Sequence, residues 1–259
     1  MSTLSNNAFN FANSLFRQRK PQVLHEYAAT VAKKIGGEGQ KQVPDFKSVH
    51  QYQGKGTNHC GPTSLSMIIN MSLMEKGYRG DVVRYEAMQE AMMNGSLGFG
   101  LTGYRLKKGG LLQHVEVVED ITGATLPWGL VQAFNDFNEG FMAAGGPNLG
   151  TPHLREEGSK QDLLDNIKNG YKTVIMLVWA NGGAHWVIVV DYDADKDAFI
   201  LLDPAHEKGG STRVGWAKLA ENWNRPIGVT NLPDLPFIDE ERFEDMLTLE
   251  NVMVTFKPA

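Results

Sequence analysis

The sequence predicts an α+β protein, with helices in the first part of the chain and an antiparallel sheet in the second. Before residue 170, apolar residues recur mainly at helical spacing, most clearly in the segment from Cys60 to Lys76. After residue 170, four β-branched or aromatic runs are bounded by turn residues: YKTVIMLVWA, HWVIVVDYD, AFILLDP and NVMVTFK. Helices that precede the strands, rather than alternating with them, favour an antiparallel sheet packed against helices.

Breaking and capping residues set the boundaries of the predicted helices. The segments predicted as helical are 4–19, 21–35, 60–76, 81–94, 126–141 and 159–170. Pro62 suits the first turn of the helix that begins at Cys60, and Gly77 ends that helix. The apolar residues of this helix fall at helical spacing, which predicts an amphipathic helix with one buried face.

Composition and charge exclude several classes of protein. The formal net charge is -5, which argues against a partner such as nucleic acid or an anionic membrane surface. No apolar run approaches the roughly 18 residues of a membrane-spanning helix. The beginning of the chain lacks the apolar stretch of a secretory signal, and one cysteine gives no disulfide framework. We therefore expect a cytoplasmic protein, or one exported by a route without a conventional signal peptide.

A linker-like segment divides the chain. The residues GGEGQKQVPDF, around positions 36–46, have the glycine and polar composition of a linker. We therefore predict a helical N-terminal extension over residues 1–45 and a main domain over residues 46–259.

Cys60 is the single cysteine and stands in the run NHCGPTSLSM. A lone thiol forms no internal disulfide, so its value lies in packing or in reactivity. At the start of a helix, unpaired N–H groups and the positive end of the dipole favour thiolate over thiol. Gly61 leaves room for a substrate backbone to approach closely. We interpret Cys60 as a nucleophile rather than an inert buried thiol.

His185 and Asp203 flank a predicted hairpin. The runs HWVIVVDYD and AFILLDP can pair around a turn at residues 194–196. The start of the first strand and the end of the second then lie at the same edge of the sheet, which brings the two side chains together. Thiol, imidazole and carboxylate are the parts of a cysteine-nucleophile site.

A side-chain amide upstream of the nucleophile can complete an oxyanion hole together with the Cys60 N–H. Two glutamines in VHQYQGKGTNHC are candidates, Gln51 and Gln53. The residues alone leave both open.

These motifs resemble the papain-like cysteine peptidases related to the family that processes double-glycine bacteriocin leaders. The resemblance covers roughly residues 48–205 and is carried by NHCGPTSLSM, NGYKTVIMLV, GGAHWVIVVDYD and ILLDP. It implies a papain-like fold in which the cysteine helix packs on the sheet. Cys60 is then the nucleophile, His185 the base and Asp203 its orienting carboxylate. Gln53, with Gln51 as the alternative, is the implied oxyanion donor. The segment around 78–155 departs from the family pattern and is predicted as an insertion.

The leading functional hypothesis is a thiol protease, a hydrolase that cleaves a peptide or protein substrate through a Cys-His-Asp catalytic triad. A second hypothesis keeps the fold and changes the reaction to glutamine deamidation, acyl transfer or cell-wall amide cleavage. The long N-terminal extension and the insertion would suit such a bacterial effector. A third hypothesis is a peptide-binding module without catalysis. The sequence leaves the oligomeric state open.

No cofactor or metal ion is expected. The aspartates from Asp191 to Asp197 alternate as in a calcium loop, but the glycine and glutamate that such a loop needs are missing, which favours a solvated hairpin turn. GFGLTG at 98–103 matches a dinucleotide-binding pattern, but no apolar strand precedes it. The histidines that lack metal-ligand spacing and are predicted at the surface are His59, His114 and His153.

Overall fold

The computed structural model describes residues 20–35, 45–95, 125–179, 183–225 and 250–259. The α-helices in these ranges are α1 (Pro21–Lys34), α2 (Phe46–Val49), α3 (Cys60–Glu75), α4 (Tyr85–Gly95), α5 (Pro127–Ala143), α6 (Lys160–Lys168) and α7 (Trp216–Trp223). The strands are β1 (Thr151–Arg155), β2 (Lys172–Val178), β3 (Ala184–Asp193), β4 (Ala198–Leu202), β5 (Ser211–Gly215) and β6 (Met253–Lys257). The predicted α+β class is confirmed. The helix predicted over 4–19, the GFGLTG segment and His114 lie outside the described residues.

The six strands form one sheet in the order β1-β6-β2-β3-β4-β5, and every neighbouring pair is antiparallel. The strands β3 and β4 form the predicted hairpin, joined by a 3-10 turn over Ala194–Lys196. Asp197 closes this turn in the left-handed conformation, with φ of 47°. The hairpin therefore places the start of β3 and the end of β4 at the same end of the sheet.

Helices cover both faces of the sheet. One apolar cluster joins α1, α3, α4 and α5 to β2, β3 and β6. A second cluster packs α6 and α7 against β2, β3, β4 and β6. All seven residues of β2 are buried, which fits a central strand covered on both sides.

The helix that begins with the cysteine is buried all round. Every residue of α3 from Cys60 to Met74 is buried, so the predicted amphipathic character is wrong. The reason is its central position, since α3 packs against β3 on one side and against α4 and α5 on others. Its polar residues are small, and Ser72 Oγ donates to the Ile68 carbonyl at 3.0 Å within the helix. The sheet and the helices around it therefore fix the position of Cys60.

The helix α1 belongs to the main core. Leu24, Ala28 and Val31 recur at helical spacing and are buried in the cluster shared with α3 and α5. Close packing with α5 is possible at Gly140, where a Cβ atom would lie 2.4 Å from the His25 Cα. Part of the predicted N-terminal extension is thus continuous with the rest of the fold.

The strands β1 and β5 are the two that the sequence analysis did not predict, and both lie at the edges of the sheet. In β5 exposed residues alternate with partly buried ones, so the strand carries no continuous apolar run. In β1, Pro152 interrupts the pattern, which an edge strand tolerates because one side of its ladder is unpaired.

A β-bulge between Val189 and Asp191 sets the register of the hairpin near the candidate site. On the site side of the bulge, Ile188 pairs with Leu202. Continuing this register puts Asp203 opposite Val187, and therefore on the same face as His185. If Val190 were paired regularly instead of bulged, Asp203 would lie opposite Ile188 and on the other face from His185, because a one-residue slip exchanges the faces.

Gly61 is required by close packing at the start of α3. A Cβ atom at this position would lie 2.4 Å from Thr125 Oγ1 and 2.5 Å from Thr125 Cβ. We expect Gly61→Ala to lower the free energy of unfolding by about 1–3 kcal/mol, the typical cost of overpacking, as measured by urea denaturation. Gly215→Ala is the matched control, because a Cβ there meets nothing within 4 Å.

The physical reason for the Gly61 prediction is tested by a second substitution. Thr125→Gly removes the atoms with which the new methyl group would collide. The free energy of unfolding should therefore fall less in the double variant Gly61→Ala/Thr125→Gly than the sum of the falls in the two single variants. We expect the difference to be about 1 kcal/mol or larger. Additive effects would contradict the proposed collision.

Among the described residues, no helix combines the length and the apolar character needed to cross a bilayer.

Candidate active site

The imidazole of His185 and the carboxylate of Asp203 are in direct contact. His185 is the second residue of β3, and Asp203 follows the last residue of β4. The distance between His185 Nε2 and Asp203 Oδ1 is 2.6 Å. The His185 side chain is 5% exposed and that of Asp203 is 33% exposed, so the hydrogen bond lies at the boundary between core and solvent. The structure thus brings these two predicted site residues together.

Cys60 approaches the same imidazole from the first residue of α3. Its side chain lies close enough to the imidazole to help raise the pKa of His185, and the residue is 7% exposed. Because Nε2 of the imidazole faces Asp203, Nδ1 is left for the thiol. The three predicted site residues Cys60, His185 and Asp203 therefore lie together at this end of the sheet.

The neighbours of His185 stabilise its protonated form. Burial disfavours the charged imidazolium, but the hydrogen bonds and charges of Asp203 and Cys60 outweigh it and raise the pKa of His185 to about 9. For Asp203, burial acts to raise the pKa, but the hydrogen bond and charge of His185 prevail and lower it. The arrangement thus favours the imidazolium form of His185 beside the carboxylate of Asp203.

The loop that carries Asp203 is held by several hydrogen bonds. Ala205 N–H donates to Asp203 Oδ1 at 2.8 Å and adds to the stabilisation of the carboxylate. The backbone carbonyl of Asp203 lies 2.9 Å from His50 Nε2 and accepts from the His206 N–H at 3.0 Å. The sequence analysis missed His50, because no local pattern relates it to a residue 153 positions away.

Gln53 lies beside this loop. Its backbone N–H donates to the Pro204 carbonyl at 2.9 Å, and its side chain is buried. The side-chain Nε2 donates to the Thr57 carbonyl at 3.0 Å, which fixes the orientation of the carboxamide because only the nitrogen can donate there. Its Oε1 is buried without a hydrogen-bond partner in the described part of the chain. A backbone hydrogen bond thus holds Gln53 next to Pro204, the residue that follows Asp203.

The side chain of Gln51 forms hydrogen bonds away from the Asp203 loop. Its Nε2 donates to the Val83 carbonyl at 2.7 Å, and its Oε1 accepts from the Tyr85 N–H at 2.8 Å. Both ends of the carboxamide therefore hold the segment that enters α4. This geometry favours Gln53 over the alternative.

Trp179 covers the imidazole of His185. The two rings stack with centroids 5.2 Å apart and an interplanar angle of 20°. Trp179 is 42% exposed and so forms part of the surface beside the site. The neighbouring Trp186 is instead 2% exposed, and its indole N–H donates to the Thr125 carbonyl at 2.8 Å. No local sequence pattern indicates which tryptophan stacks on His185, since Trp179 precedes the residues that lead into β3.

His59 is half-buried beside the thiol, rather than freely exposed as predicted. It is the N-cap residue of α3, and its Nε2 lies 2.7 Å from Gln89 Nε2 on α4. Burial lowers the pKa of His59, so its imidazole is favoured in the neutral form. A neutral His59 can accept the hydrogen bond from the Gln89 amide. His153, by contrast, is exposed on β1.

The aspartates of the hairpin turn have partners within the protein. Asp193 accepts from the Lys196 N–H and pairs with Arg213 at 3.0 Å. Asp197 pairs with Lys160 and accepts from the Tyr192 hydroxyl at 2.6 Å. These contacts agree with the interpretation of this segment as a hairpin turn.

The fold and this site define a class of protein. A helix that begins with a thiol and packs on an antiparallel sheet carrying imidazole and carboxylate is the arrangement of papain-like cysteine peptidases. The chain matches the model of the Peptidase_C39 like family over residues 43–229, and it belongs to that family. The fold is accordingly α+β and papain-like, and the resemblance stated from the sequence is confirmed.

Comparison with solved structures gives a distant likeness. A crystal structure assigned to a C39-like peptidase from Bacillus anthracis matches with a TM-score of 0.43 and 13% sequence identity. The match covers 84% of this chain and 96% of the other. No curated protein sequence shows a significant match. The family match, rather than the structural likeness, identifies the chain.

Proposed function

We propose that the protein is a cysteine peptidase that cleaves peptide bonds through Cys60, His185 and Asp203. The observation that carries this proposal is the 2.6 Å contact between His185 Nε2 and Asp203 Oδ1, at an imidazole whose pKa Cys60 also helps to raise. Membership of a peptidase family supports the same reaction.

In the proposed reaction, the Cys60 thiolate attacks the carbonyl carbon of the substrate. The thiol proton resides on His185, which later donates it to the leaving amine as the C–N bond breaks. Water then attacks the thioester, with His185 as the base, and releases the acid product and the thiol. Asp203 keeps the imidazole in the correct tautomer and stabilises its charged form.

The oxyanion formed in each step requires hydrogen-bond donors. We propose the Cys60 backbone N–H at the start of α3 and one N–H of the Gln53 carboxamide. The nitrogen of Gln53 carries two hydrogens, and Thr57 uses one of them. The remaining hydrogen is the proposed donor.

Replacing Gln53 by alanine should lower kcat about 10²–10³-fold, the usual cost of losing one oxyanion donor. Alkylation of Cys60 by iodoacetamide should change little, because that reaction develops no oxyanion. Gln51→Ala is the comparison, since its carboxamide holds Val83 and Tyr85 and its loss should act on stability. A larger fall in kcat for Gln51→Ala, in folded protein, would assign the donor to Gln51.

The reaction type is tested by incubating the full chain with a peptide library and with intact proteins, followed by mass spectrometry. New chain ends that require Cys60 are the expected result. Conversion of glutamine to glutamate, or transfer of an acyl group, would replace peptidase activity by a protein-modifying reaction. Covalent labelling of Cys60 by a papain-type epoxide with no turnover of any substrate would favour a silent binding module.

A further inference from the structure

Three side chains that bind metal ions in other proteins converge where α1 crosses α5. They are His25 on α1, and Asp136 and Glu139 on α5. One ligand atom of each lies within 4.8 Å of the other two, and His25 Nε2 is 3.7 Å from Glu139 Oε2. We propose that this cluster binds a divalent transition-metal ion, of which Zn²⁺ is the representative.

The backbone brings the ligands to one place. Asp136 and Glu139 are three residues apart, so both project from the same face of α5. Gly140 lets the two helices approach closely, since a Cβ there would lie 2.4 Å from the His25 Cα. The imidazole of His25 is thereby held over the two carboxylates.

Burial and charge favour a cation at this position. Asp136 is 0% exposed, and one of its carboxylate oxygens lies within 4.8 Å of ligand atoms on His25 and Glu139. Glu139 adds a second carboxylate beside it. His25 Nε2 is inaccessible and makes no hydrogen bond within the described ranges, although its ring is partly exposed. Two anionic oxygens and an imidazole nitrogen therefore face each other across a short gap.

The distances and atom types suit Zn²⁺ or a similar first-row ion. Ligands at about 2.1 Å from a tetrahedral ion lie roughly 3.4 Å from one another. The 3.7 Å separation of His25 and Glu139 is close to this, and rotation of the exposed Glu139 side chain would adjust the others. The histidine argues against Mg²⁺ and Ca²⁺, which prefer oxygen ligands. Solvent can supply the fourth ligand, because His25 and Glu139 are partly exposed.

Such an ion would fasten α1 to the body of the protein. The helix α1 ends at Lys34, before the family-matched region begins at residue 43. The bound ion would join it to α5 within that region. This role is structural and is independent of the proposed peptidase activity.

The test uses the full chain with Cys60→Ala, so that the thiol and His185 do not bind the added metal. Titration calorimetry with Zn²⁺ should give one ion per chain, with no competition from Mg²⁺. At Zn²⁺ about 100-fold above Kd, the Tm should rise by roughly 5–10 °C relative to protein in EDTA. Co²⁺ should give the visible absorption of a nitrogen- and oxygen-bound tetrahedral ion.

His25→Ala and Glu139→Gln, each in the Cys60→Ala background, should weaken Zn²⁺ binding by more than the roughly 10–100-fold typical of outer-shell partners. His153→Ala removes an exposed histidine from β1 and should leave binding unchanged. Two results would overturn the proposal. One is absence of stoichiometric binding, or binding that survives both substitutions. The other is a loss of Tm in His25→Ala that is equal in Zn²⁺ and EDTA, since this would indicate a direct clamp between His25 and the carboxylates.

Discussion

Replacing Cys60 by alanine is expected to abolish peptide cleavage, with a fall in kcat of about 10⁵–10⁶-fold. The magnitude follows from loss of the nucleophile, because the remaining groups stabilise the oxyanion but form no acyl intermediate. Among the residues of this sequence, Cys60 is the single thiol, so no second cysteine can take its place. The measurement is hydrolysis of a cleavable peptide identified by the mass-spectrometric screen.

The Cys60→Ala variant also provides a control for folding. The thiol is 7% exposed within the core cluster, and alanine removes only the sulfur. The far-UV spectrum and cooperative thermal unfolding should therefore be retained. Turnover within tenfold of the native protein, in a folded variant, would exclude Cys60 as the nucleophile.

Replacing Asp203 by asparagine is expected to lower kcat by about 10²–10⁴-fold, as in other triads where the orienting carboxylate loses its charge. Asparagine keeps the size of the side chain and an oxygen that can accept from Ala205 N–H. It removes the negative charge that stabilises the His185 imidazolium. Asp195→Asn, in the exposed turn at the far end of the same hairpin, is the matched control and should retain activity.

The pH dependence should change in the same variant. In the native protein, turnover should decline as the pH rises through about 9, where His185 loses the proton that it gives to the leaving amine. In Asp203→Asn, the charge that offsets the effect of burial on His185 is lost, so the pKa of His185 should be lower. The decline in turnover should therefore begin at a lower pH. An unchanged alkaline limb would show that Asp203 does not control the protonation of His185.

The same pKa shifts predict how this site contributes to stability. The folded-state pKa of His185 is above its usual 6.5, so its contribution is fully present below pH 6.5 and is lost as the pH rises through about 9. The pKa of Asp203 is below its usual range, so its contribution is present at neutral pH and is lost as acid protonates the carboxylate.

The parts of the site that depend on local sequence were predictable. A cysteine before Gly-Pro marks a helix start, and two apolar runs around a three-residue polar turn mark a hairpin. These two patterns were enough to predict that His185 and Asp203 lie at one end of the sheet. The 2.6 Å distance between His185 Nε2 and Asp203 Oδ1 agrees with this prediction. The central strands were equally clear, because strands buried on both faces need continuous apolar runs.

Other features depend on contacts between distant parts of the chain and have no local signal. The bulge between Val189 and Asp191 puts Asp203 on the same face as His185. The run HWVIVVDYD is equally compatible with a regular strand, so its sequence does not predict the bulge. The support from His50 arises only after β4 returns beside residue 50. The cysteine helix was predicted to have one exposed face because the sequence does not reveal how many elements will cover it.

The central claim is that His185 activates the Cys60 thiol for nucleophilic attack. The most direct test is the rate of Cys60 alkylation by iodoacetamide as a function of pH, in the native chain and in His185→Ala. We expect fast alkylation of the native chain already near about pH 6, and loss of this acid-pH reactivity in His185→Ala. If both proteins instead react slowly and accelerate only near about pH 8.5, as an ordinary thiol does, the claim is contradicted.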